Sequence, residues 1–297
     1  RLIDGFQKGG KLLLDDVFLS AFRAVLLNTG VSDKTFMTQL LTLPAEKYLA
    51  EQMKVIDVAA IHEARQFVKK RLAGELRDLF LSVYRENIAK GPYRFDAHAA
   101  GGRRLKNICL SYLMTLSEDS VHAMCFSQFS EADNMTDTMG ALTELAHNEN
   151  PYRAEALALF SQKWGDNVLV MDKWFAVQAT APLPGTLEEV KRLMGHKAFS
   201  IKNPNKVRSL IGAFTSGNPV CFHDATGAGY QFLADNVIAL NSLNPQIAAR
   251  LLGSMSRWRK YDRKRQGLMR TQLERIIQTD GLSKDVYEIA SKSLGVT

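Results

Sequence analysis

Metal chemistry is the first possibility that the residue spacing raises. Residues 62–66 read His-Glu-Ala-Arg-Gln, which begins like the zinc-binding H-E-x-x-H helix. That motif binds zinc because its two histidines lie one helical turn apart and face the same ion. Gln66 occupies the place of the second histidine, and the other five histidines occur singly. We therefore expect His62 to be an ordinary half-buried or surface histidine, and we expect no zinc site within these residues.

Other common catalytic motifs are also missing from the sequence. It contains no G-x-S-x-G nucleophile elbow and no phosphate-binding P-loop. Residues 227–230 (GAGY) lack the third glycine and the preceding strand of a dinucleotide-binding turn. The sequence contains an odd number of cysteines, namely Cys109, Cys125 and Cys221, and no two of them form a C-x-x-C pair. This pattern favours buried, reduced thiols. The sequence thus predicts no self-contained active site.

Positive charge is concentrated in one segment. The chain has a formal net charge of +7, and residues 250–275 alone contain nine basic and two acidic residues. Trp258 and Tyr261 lie among these cations, so one interpretation is a nucleic-acid groove in which bases stack beside phosphate contacts. The other interpretation is one long helix that keeps its cations in water. Its inward residues would be Leu251, Met255, Trp258, Leu268 and Leu273. Because no nucleic-acid-binding motif is present, we favour the helix and do not expect nucleic acid to be a partner.

Hydrophobic periodicity predicts helices almost throughout the chain. Between Val58 and Ile88, apolar residues recur every three to five positions, as in an amphipathic helix, with a break near Gly74. The other segments with this spacing are residues 105–116, 139–145, 156–164 and 168–178. No segment alternates strictly with the period of two that is typical of a strand.

Capping residues mark the predicted helix starts. Four of the eight prolines follow an asparagine, at Asn150, Asn203, Asn218 and Asn244. Asparagine accepts a hydrogen bond from the first helical turn, and proline at the first helical position needs no donor. We also predict caps at Asn134 and Ser283, and a capping box formed by Thr186 and Glu189.

These signals predict an all-α protein with about twelve to sixteen helices of about 8 to 20 residues. Helix pairs at a loose period of about 40 residues favour an α-solenoid, a superhelical array of antiparallel helix pairs of the HEAT or armadillo kind. A compact bundle is the alternative. Residues 1–12, which carry three glycines, are predicted to be a connector, and residues 13–297 one continuous helical domain. The sequence shows neither a signal peptide nor a membrane-spanning run, so we expect no membrane contact. Because the three cysteines suit a reducing cytosol, we expect a cytoplasmic protein.

Five strings of residues closely resemble bacterial aminopeptidase N. They are residues 131–137 (EADNMTD), 167–175 (NVLVMDKWF), 203–214 (NPNKVRSLIGAF), 244–251 (NPQIAARL) and 260–266 (KYDRKRQ). The strings occur in the family's order and spacing, and the likeness extends from about residue 15 to about residue 294. The chain therefore resembles the C-terminal helical domain of that family.

The resemblance implies a four-domain cytosolic zinc aminopeptidase of the gluzincin type, which releases N-terminal amino acids from peptides. The family's H-E-x-x-H and G-A-M-E-N motifs belong to its catalytic domain, and neither occurs in this sequence. This domain would then cap the catalytic cleft and control peptide access, without being catalytic by itself. The implied cofactor is zinc in the parent enzyme and none in this segment. The implied partners are the catalytic domain of the same polypeptide and peptide substrates.

The resemblance also implies three substrate-contact residues. Arg208, Gln246 and Arg250 correspond to positions on the concave face towards the catalytic domain. A guanidinium there can bind the C-terminal carboxylate or the backbone carbonyls of a peptide, and Gln246 can contact the side chain of the first residue. The alternative is that both arginines are structural and pair within the array. For the whole chain, the alternative is a free-standing helical-repeat scaffold that binds peptide or protein on its concave face.

Overall fold

A computed structural model describes residues 2–10, 12–28 and 33–295 of the chain. Within these ranges the chain is helical and has no β-strand, and its one extended pairing is a single bridge between Ile56 and Tyr261. The predicted all-α class is therefore confirmed. No helix in these ranges is both long enough and apolar enough to cross a membrane.

The helices belong to two compact units. Unit 1 comprises Arg1–Leu49 and Ala59–Leu159, and unit 2 comprises Ala50–Val58 and Phe160–Thr297. The first ten helices are α1 (Leu2–Gln7), α2 (Asp16–Leu27), α3 (Lys34–Leu40), α4 (Glu46–Glu51), α5 (Val58–Glu75), α6 (Arg77–Glu86), α7 (Ala97–Leu113), α8 (Asp119–Glu131), α9 (Met135–His147) and α10 (Arg153–Trp164). A 3₁₀ turn, Met114–Leu116, follows α7. The single domain predicted from residue 13 onwards stays a prediction, as does the connector before it.

Helix α7 lies at the centre of unit 1, where it packs against α3, α6 and α9. Leu105 and Cys109 are four residues apart on its inner face, and both are buried. Tyr112 is buried as well, and its ring stacks on Phe80 with the ring centroids 4.6 Å apart. The Tyr112 hydroxyl donates to the Leu41 carbonyl at 2.6 Å, so its burial leaves no polar group unpaired.

Helices α7 and α9 approach each other closely because Gly140 has no side chain. A Cβ at this position would lie 2.7 Å from Asn107 Cγ, closer than non-bonded atoms approach. The Asn107 amide fills this space, where it donates to Asp137 Oδ1 at 3.2 Å and accepts from Gln128 Nε2 at 2.8 Å. The glycine thus allows a polar network to tie α7, α8 and α9 together.

Unit 2 contains the remaining helices. They are α11 (Val168–Ala179), α12 (Thr186–Met194), α13 (Pro204–Val207), α14 (Ala213–Gly217), α15 (Pro219–Phe222), α16 (Ala228–Asn241), α17 (Pro245–Leu252), α18 (Arg263–Ile277) and α19 (Lys284–Leu294). A π-helical turn, Arg208–Gly212, joins α13 to α14, and two 3₁₀ turns, Gly253–Met255 and Trp258–Lys260, lie between α17 and α18. Helix α16 packs against α17 and α18, and α19 packs against the same two helices.

The predicted helical segments are confirmed, including the break between residues 58 and 88, where α5 ends at Glu75 and α6 begins at Arg77. The described residues form nineteen α-helices, which is more than the predicted twelve to sixteen. The excess consists of short helices such as α13 and α15, each of four residues. Hydrophobic periodicity does not detect them, because four residues form little more than one turn.

Most predicted caps are confirmed. Asn203, Asn218 and Asn244 each accept a hydrogen bond from a first-turn N–H and are followed by proline. Asn134 and Ser283 cap α9 and α19 in the same way. At Asn150 the prediction is wrong: its Oδ1 accepts from the Tyr152 N–H at 3.1 Å, but α10 begins only at Arg153.

The predicted capping box at Thr186 is wrong. Thr186 is the first residue inside α12, and the N-cap is Gly185, whose φ of 82° favours glycine. The Thr186 hydroxyl instead lies 2.9 Å from the Ala181 carbonyl and 2.8 Å from the Leu183 carbonyl. Because Thr186 is buried, its hydroxyl bonds to the loop that it packs against.

The basic segment is not one long helix, contrary to the prediction. Helix α17 ends at Leu252, and α18 begins at Arg263 after the extended residue Tyr261. Asp262 starts α18, because its Oδ1 accepts from the Arg265 N–H at 3.0 Å. Of the residues predicted to face inward, Leu268 is half-buried, and the buried ones are Leu251, Met255, Trp258 and Leu273.

Candidate functional site

Arg208 lies on the surface of unit 2, at the start of the π-helical turn Arg208–Gly212. Such a turn carries one extra residue, which locally widens the helix, and π-turns are frequent at functional sites. The side chain of Arg208 is exposed, and its Nη1 donates to Asn205 Oδ1 at 3.2 Å. The structure thus presents this predicted site residue to the solvent on an irregular piece of helix.

A buried lysine fixes the backbone that precedes Arg208. Lys206 is 4% exposed, its Nζ lies 2.8 Å from Asp172 Oδ1, and it donates to the Val168 carbonyl at 2.7 Å. Ser209 Oγ also donates to Asp172 Oδ1, at 3.3 Å. Since a buried charge is stable only with its partners, these bonds hold α13 and the π-turn on α11. Arg208 therefore extends from a rigid support.

Gln246 and Arg250 lie on one exposed face of α17. They are four residues apart, which places them one above the other on a helix. The opposite face carries the buried residues Ala248 and Leu252. Asn244 fixes the start of this helix, because its Oδ1 accepts from the Ile247 N–H at 3.1 Å. Capping and packing together point both polar side chains outward.

The π-turn and α17 lie close to each other at Gly212. A Cβ at Gly212 would lie 3.7 Å from Leu251 Cδ2 and 3.9 Å from Arg208 Cβ. Across the described ranges, Arg250 forms no ion pair, and the one side-chain partner of Arg208 is Asn205. The three predicted residues, which we call the Arg208 surface, thus lie on neighbouring elements with both guanidiniums free of acidic partners. Such a surface can bind carboxylate or carbonyl oxygens.

A second polar cluster, around His223, is not evident from the sequence. His223 Nδ1 lies 3.0 Å from the Tyr230 hydroxyl, and its Nε2 lies 3.0 Å from the Tyr261 hydroxyl. Arg265 Nε donates to the His223 carbonyl at 2.7 Å. A neutral imidazole donates through one nitrogen and accepts through the other, so the two tyrosines play opposite roles. Tyr261 is 38 residues away from His223, and no local spacing signals their contact.

The imidazole and the two phenols of the His223 cluster are neutral. Burial, assisted by the charge of Arg265, lowers the pKa of His223 to about 3. Burial also raises the pKa of Tyr230 and Tyr261. All three groups therefore keep their uncharged forms near neutral pH, and the cluster holds α16 and α18 to the end of α15 without exchanging protons.

The metal and nucleophile candidates occupy separate environments. His62 Nδ1 lies 2.8 Å from Glu46 Oε1. In the part of the chain that the structure describes, no group of three or more His, Cys, Asp or Glu side chains could hold a metal ion. Cys109 and Cys125 are buried as predicted, whereas Cys221 is only half-buried. Burial raises the pKa of all three thiols, which disfavours the reactive thiolate. These residues therefore fit neither a zinc site nor a cysteine nucleophile.

The two aromatic residues of the basic segment are already engaged within unit 2. Trp258 is 8% exposed, and its Nε1 donates to the Ser293 carbonyl at 2.8 Å. The guanidinium carbon of Arg259 lies 4.4 Å from the centroid of the Trp258 ring. The Tyr261 ring stacks on His223 with the centroids 4.4 Å apart. Neither ring is placed to stack on a nucleic-acid base, so the geometry does not support the groove interpretation.

A family model described as a domain of unknown function (DUF3458_C) with ARM repeats matches residues 1–295. The chain belongs to this family. The aminopeptidase N of Escherichia coli (strain K12) is 41% identical to this ARM-repeat domain over 288 residues, covering 97% of the chain and 33% of that protein. The aminopeptidase N of Haemophilus influenzae (strain ATCC 51907 / DSM 11121 / KW20 / Rd) is 40% identical over 291 residues, with the same shares.

A solved structure has the same fold as the ARM-repeat domain. The crystal structure of Legionella pneumophila aminopeptidase A in complex with aspartic acid matches it with a TM-score of 0.90 and 34% identity. The match covers 100% of the chain and 35% of that protein. The predicted resemblance to the C-terminal helical domain of bacterial aminopeptidase N is confirmed, and so is the armadillo-like repeat class. The chain spans about a third of the length of the relatives that it matches.

Proposed function

We propose that this ARM-repeat domain is the C-terminal part of a longer cytoplasmic zinc aminopeptidase, in which it caps the catalytic cleft and controls the access of peptides. The proposal is supported by the two proteins named aminopeptidase N, each of which matches 97% of the chain with a third of its own length. The remaining length leaves room for a catalytic domain in the same polypeptide, which is the proposed partner. The buried free thiols of Cys109 and Cys125 suit a reducing compartment.

In this proposal the Arg208 surface contacts the peptide substrate. The observation that carries it is the pair of exposed guanidiniums, Arg208 and Arg250, which lie on adjoining elements without acidic partners. A guanidinium binds a carboxylate through two parallel hydrogen bonds, so these residues bind the C-terminal carboxylate or the carbonyls of the peptide. Gln246 contacts the side chain of the first residue. The domain therefore positions the peptide and excludes water from the cleft that it covers.

The proposed zinc is bound by the polypeptide outside these residues. When bound, zinc polarises the scissile carbonyl and activates water. Because the described residues do not fit a zinc site, we assign them no metal ligand and no catalytic role. Their contribution is binding and positioning.

Replacing Arg250 in the full-length polypeptide tests the role of the Arg208 surface. We expect Arg250→Ala to raise the KM for a tetrapeptide about tenfold, the equivalent of losing one charge-assisted hydrogen bond of about 1.4 kcal/mol. The KM for an aminoacyl anilide should change less than about twofold, because that substrate has no distal carboxylate. Arg270→Ala, which removes another exposed arginine of unit 2, is the control. Equal effects on both substrates would indicate a structural role for Arg250.

The isolated chain tests the assignment of catalysis to the rest of the polypeptide. We expect it to hydrolyse no aminoacyl anilide, with or without added zinc, when product release is followed by absorbance. Zinc-dependent turnover by the pure chain would contradict the proposal. The alternative, a free-standing scaffold, instead predicts tight peptide binding by the isolated chain and no peptidase activity in the full-length polypeptide.

A further inference from the structure

A groove opens on unit 1 between α6 and α8. Its volume is about 640 Å³, which lies within the range of small-molecule sites. Helix α6 lines it with Leu81 and Arg85, and α8 lines it with Val121, Met124 and Glu131. These side chains are three, four or seven residues apart on their helices, so each helix turns one face towards the groove. The lining therefore combines an apolar wall with charged groups.

A buried polar network forms the floor of the groove. Lys106 of α7 is 6% exposed and Asp137 of α9 is 4% exposed, and Lys106 Nζ donates to Asp137 Oδ2 at 2.8 Å. Gln128, which is also buried, accepts from the Tyr84 hydroxyl at 3.0 Å and donates to the Asp137 carbonyl at 3.1 Å. These bonds connect four helices and fix the position of each polar group at the floor.

The Lys106 ammonium group at this floor has more N–H donors than acceptors. An ammonium group carries three hydrogens, and across the described ranges its one acceptor is Asp137. A buried donor without a partner costs free energy. The floor is therefore suited to an oxygen atom of a bound ligand, above all a carboxylate oxygen.

Charges of opposite sign line the same groove without pairing. Arg85 forms no ion pair with any described residue, and Glu131 accepts from the Ser127 hydroxyl at 2.9 Å but has no basic partner there. Arg77, which also lines the groove, does form an ion pair, with Glu118 at the N-cap of α8, at 2.5 Å. Arg85 and Glu131 are thus a cation and an anion that share an open space without bonding to each other.

We propose that this groove binds a small zwitterion with an apolar side chain, of the class of a free α-amino acid. Its carboxylate accepts hydrogen bonds from Lys106 and Arg85, and its ammonium group donates to Glu131. The apolar side chain packs on Val121 and Met124. A carboxylate without an amine leaves Glu131 unpaired, and an amine without a carboxylate leaves the spare donors of Lys106 unfilled, so the lining selects a molecule that carries both.

Methionine-methyl NMR of the full chain tests this proposal with L-leucine as the probe. The Met124 signal is assigned by its loss in Met124→Leu. We expect a saturable shift of this signal on titration with L-leucine. Leucinamide, which lacks the carboxylate, and 4-methylpentanoate, which lacks the amine, should each bind at least about tenfold more weakly.

Two exposed lining residues provide variants that preserve the floor of the groove. We expect Arg85→Gln and Glu131→Gln each to weaken L-leucine binding at least about fivefold. Arg71→Gln, which changes an exposed arginine of α5 outside the groove, should leave binding unchanged. The proposal is overturned if the Met124 signal shows no saturable shift up to about 50 mM L-leucine, or if the three ligands bind equally well. It is also overturned if neither Arg85→Gln nor Glu131→Gln changes the affinity for L-leucine.

Discussion

The ion pair of Lys106 and Asp137 shows what a charged side chain requires in the interior of unit 1. Both side chains are almost fully buried. Their attraction compensates for the lost hydration only while both are present, because a single buried charge has no comparable partner. Asn134 and Asn107 add hydrogen bonds to Asp137, so the carboxylate stays fully bonded.

Removing the cation of this pair should destabilise the chain strongly. We expect Lys106→Met to lower the free energy of unfolding by about 3–5 kcal/mol, since Asp137 is left buried without a counter-charge. Equilibrium urea denaturation measures the change. Lys191→Met, which removes an exposed lysine paired with Glu188, should cause no measurable loss. Similar effects of the two substitutions would show that the Lys106 site is hydrated.

His223 should make the folded chain less stable in mild acid. Its folded pKa of about 3 lies below the ordinary value of 6.5, so between these pH values the unfolded chain binds a proton that the folded chain excludes. Stability is therefore complete above pH 6.5 and falls as the pH drops towards 3, by up to about 1.4 kcal/mol per pH unit. His196, whose pKa is also lowered by burial, acts in the same direction.

The pH dependence of urea unfolding between about pH 7.5 and pH 5 measures this effect. In His223→Asn the slope should become shallower, even if the variant is less stable at every pH. The exposed His98→Asn should keep the slope of the parent chain. If His223→Asn left the slope of the free energy of unfolding against pH unchanged, a group other than His223 would cause the pH dependence.

Among the helices, the contact of α15 with α16 depends on a residue without a side chain. A Cβ at Gly229, the second residue of α16, would lie 2.3 Å from the Phe222 carbonyl oxygen. Backbone atoms cannot rotate away as a side chain can, so the two elements would have to separate. At Gly267, inside α18, no heavy atom of the described residues lies within 4 Å of the ideal Cβ position, apart from the chain neighbours and the local helix backbone. The same substitution should therefore act in opposite directions at these two helical positions.

We expect Gly229→Ala to lower the free energy of unfolding by at least about 2 kcal/mol through this clash. Gly267→Ala should raise it by about 0.5–1 kcal/mol, because alanine has the higher helix propensity. Thermal and urea denaturation of the two variants measure the difference. If Gly229→Ala left the free energy of unfolding unchanged, α15 and α16 would be packed less tightly than the Cβ distance at Gly229 indicates.

At the scale of the whole molecule, the excess positive charge is largely engaged. Five of the nine cations between residues 250 and 275 bond to acidic side chains or to backbone carbonyls; these are Arg257, Arg259, Arg265, Arg270 and Arg275. Arg259 donates to the carbonyls of Ser293 and Leu294, and so caps the C-terminus of α19. The segment therefore stabilises unit 2 and does not form a uniform cationic surface.

Nucleic-acid retention should accordingly be weak and sensitive to salt. We expect the chain to bind single-stranded DNA at about 20 mM salt and to release it by about 150 mM, since only sequence-independent attraction is available. Fluorescence anisotropy across a salt series measures this. If the chain still bound DNA at physiological salt, and if Trp258→Ala abolished this binding without unfolding the chain, the nucleic-acid interpretation of the basic segment would be supported.

The sequence predicted those features that depend on neighbouring residues. Helical stripes, the break near Gly74 and the caps at Asn203 and Asn244 all come from side chains within four positions of one another. Gln246 and Arg250 were predicted only from the family resemblance, and their exposure is a finding of the structure. The five strings that resemble bacterial aminopeptidase N identified the family, because their order and spacing are read directly along the sequence. The capping box predicted at Thr186 was wrong because Thr186 is buried, which the local sequence does not reveal. Its hydroxyl therefore bonds to the Ala181 and Leu183 carbonyls and does not cap the helix.

What depends on distant residues was decided by the tertiary structure alone. Lys106 and Asp137 are 31 residues apart, and His223 and Tyr261 are 38 apart, so no local pattern reveals that they bond. The approach of the π-turn to α17 is likewise a contact between distant segments, and the extra residue of the π-turn has no signature in the hydrophobic pattern. By itself the sequence determined the longer helices, most of their starts and the family, because backbone hydrogen bonds and caps act within a few residues. Packing between helices decided which charges are buried, which are paired and which face a groove, because burial depends on every element that surrounds a side chain.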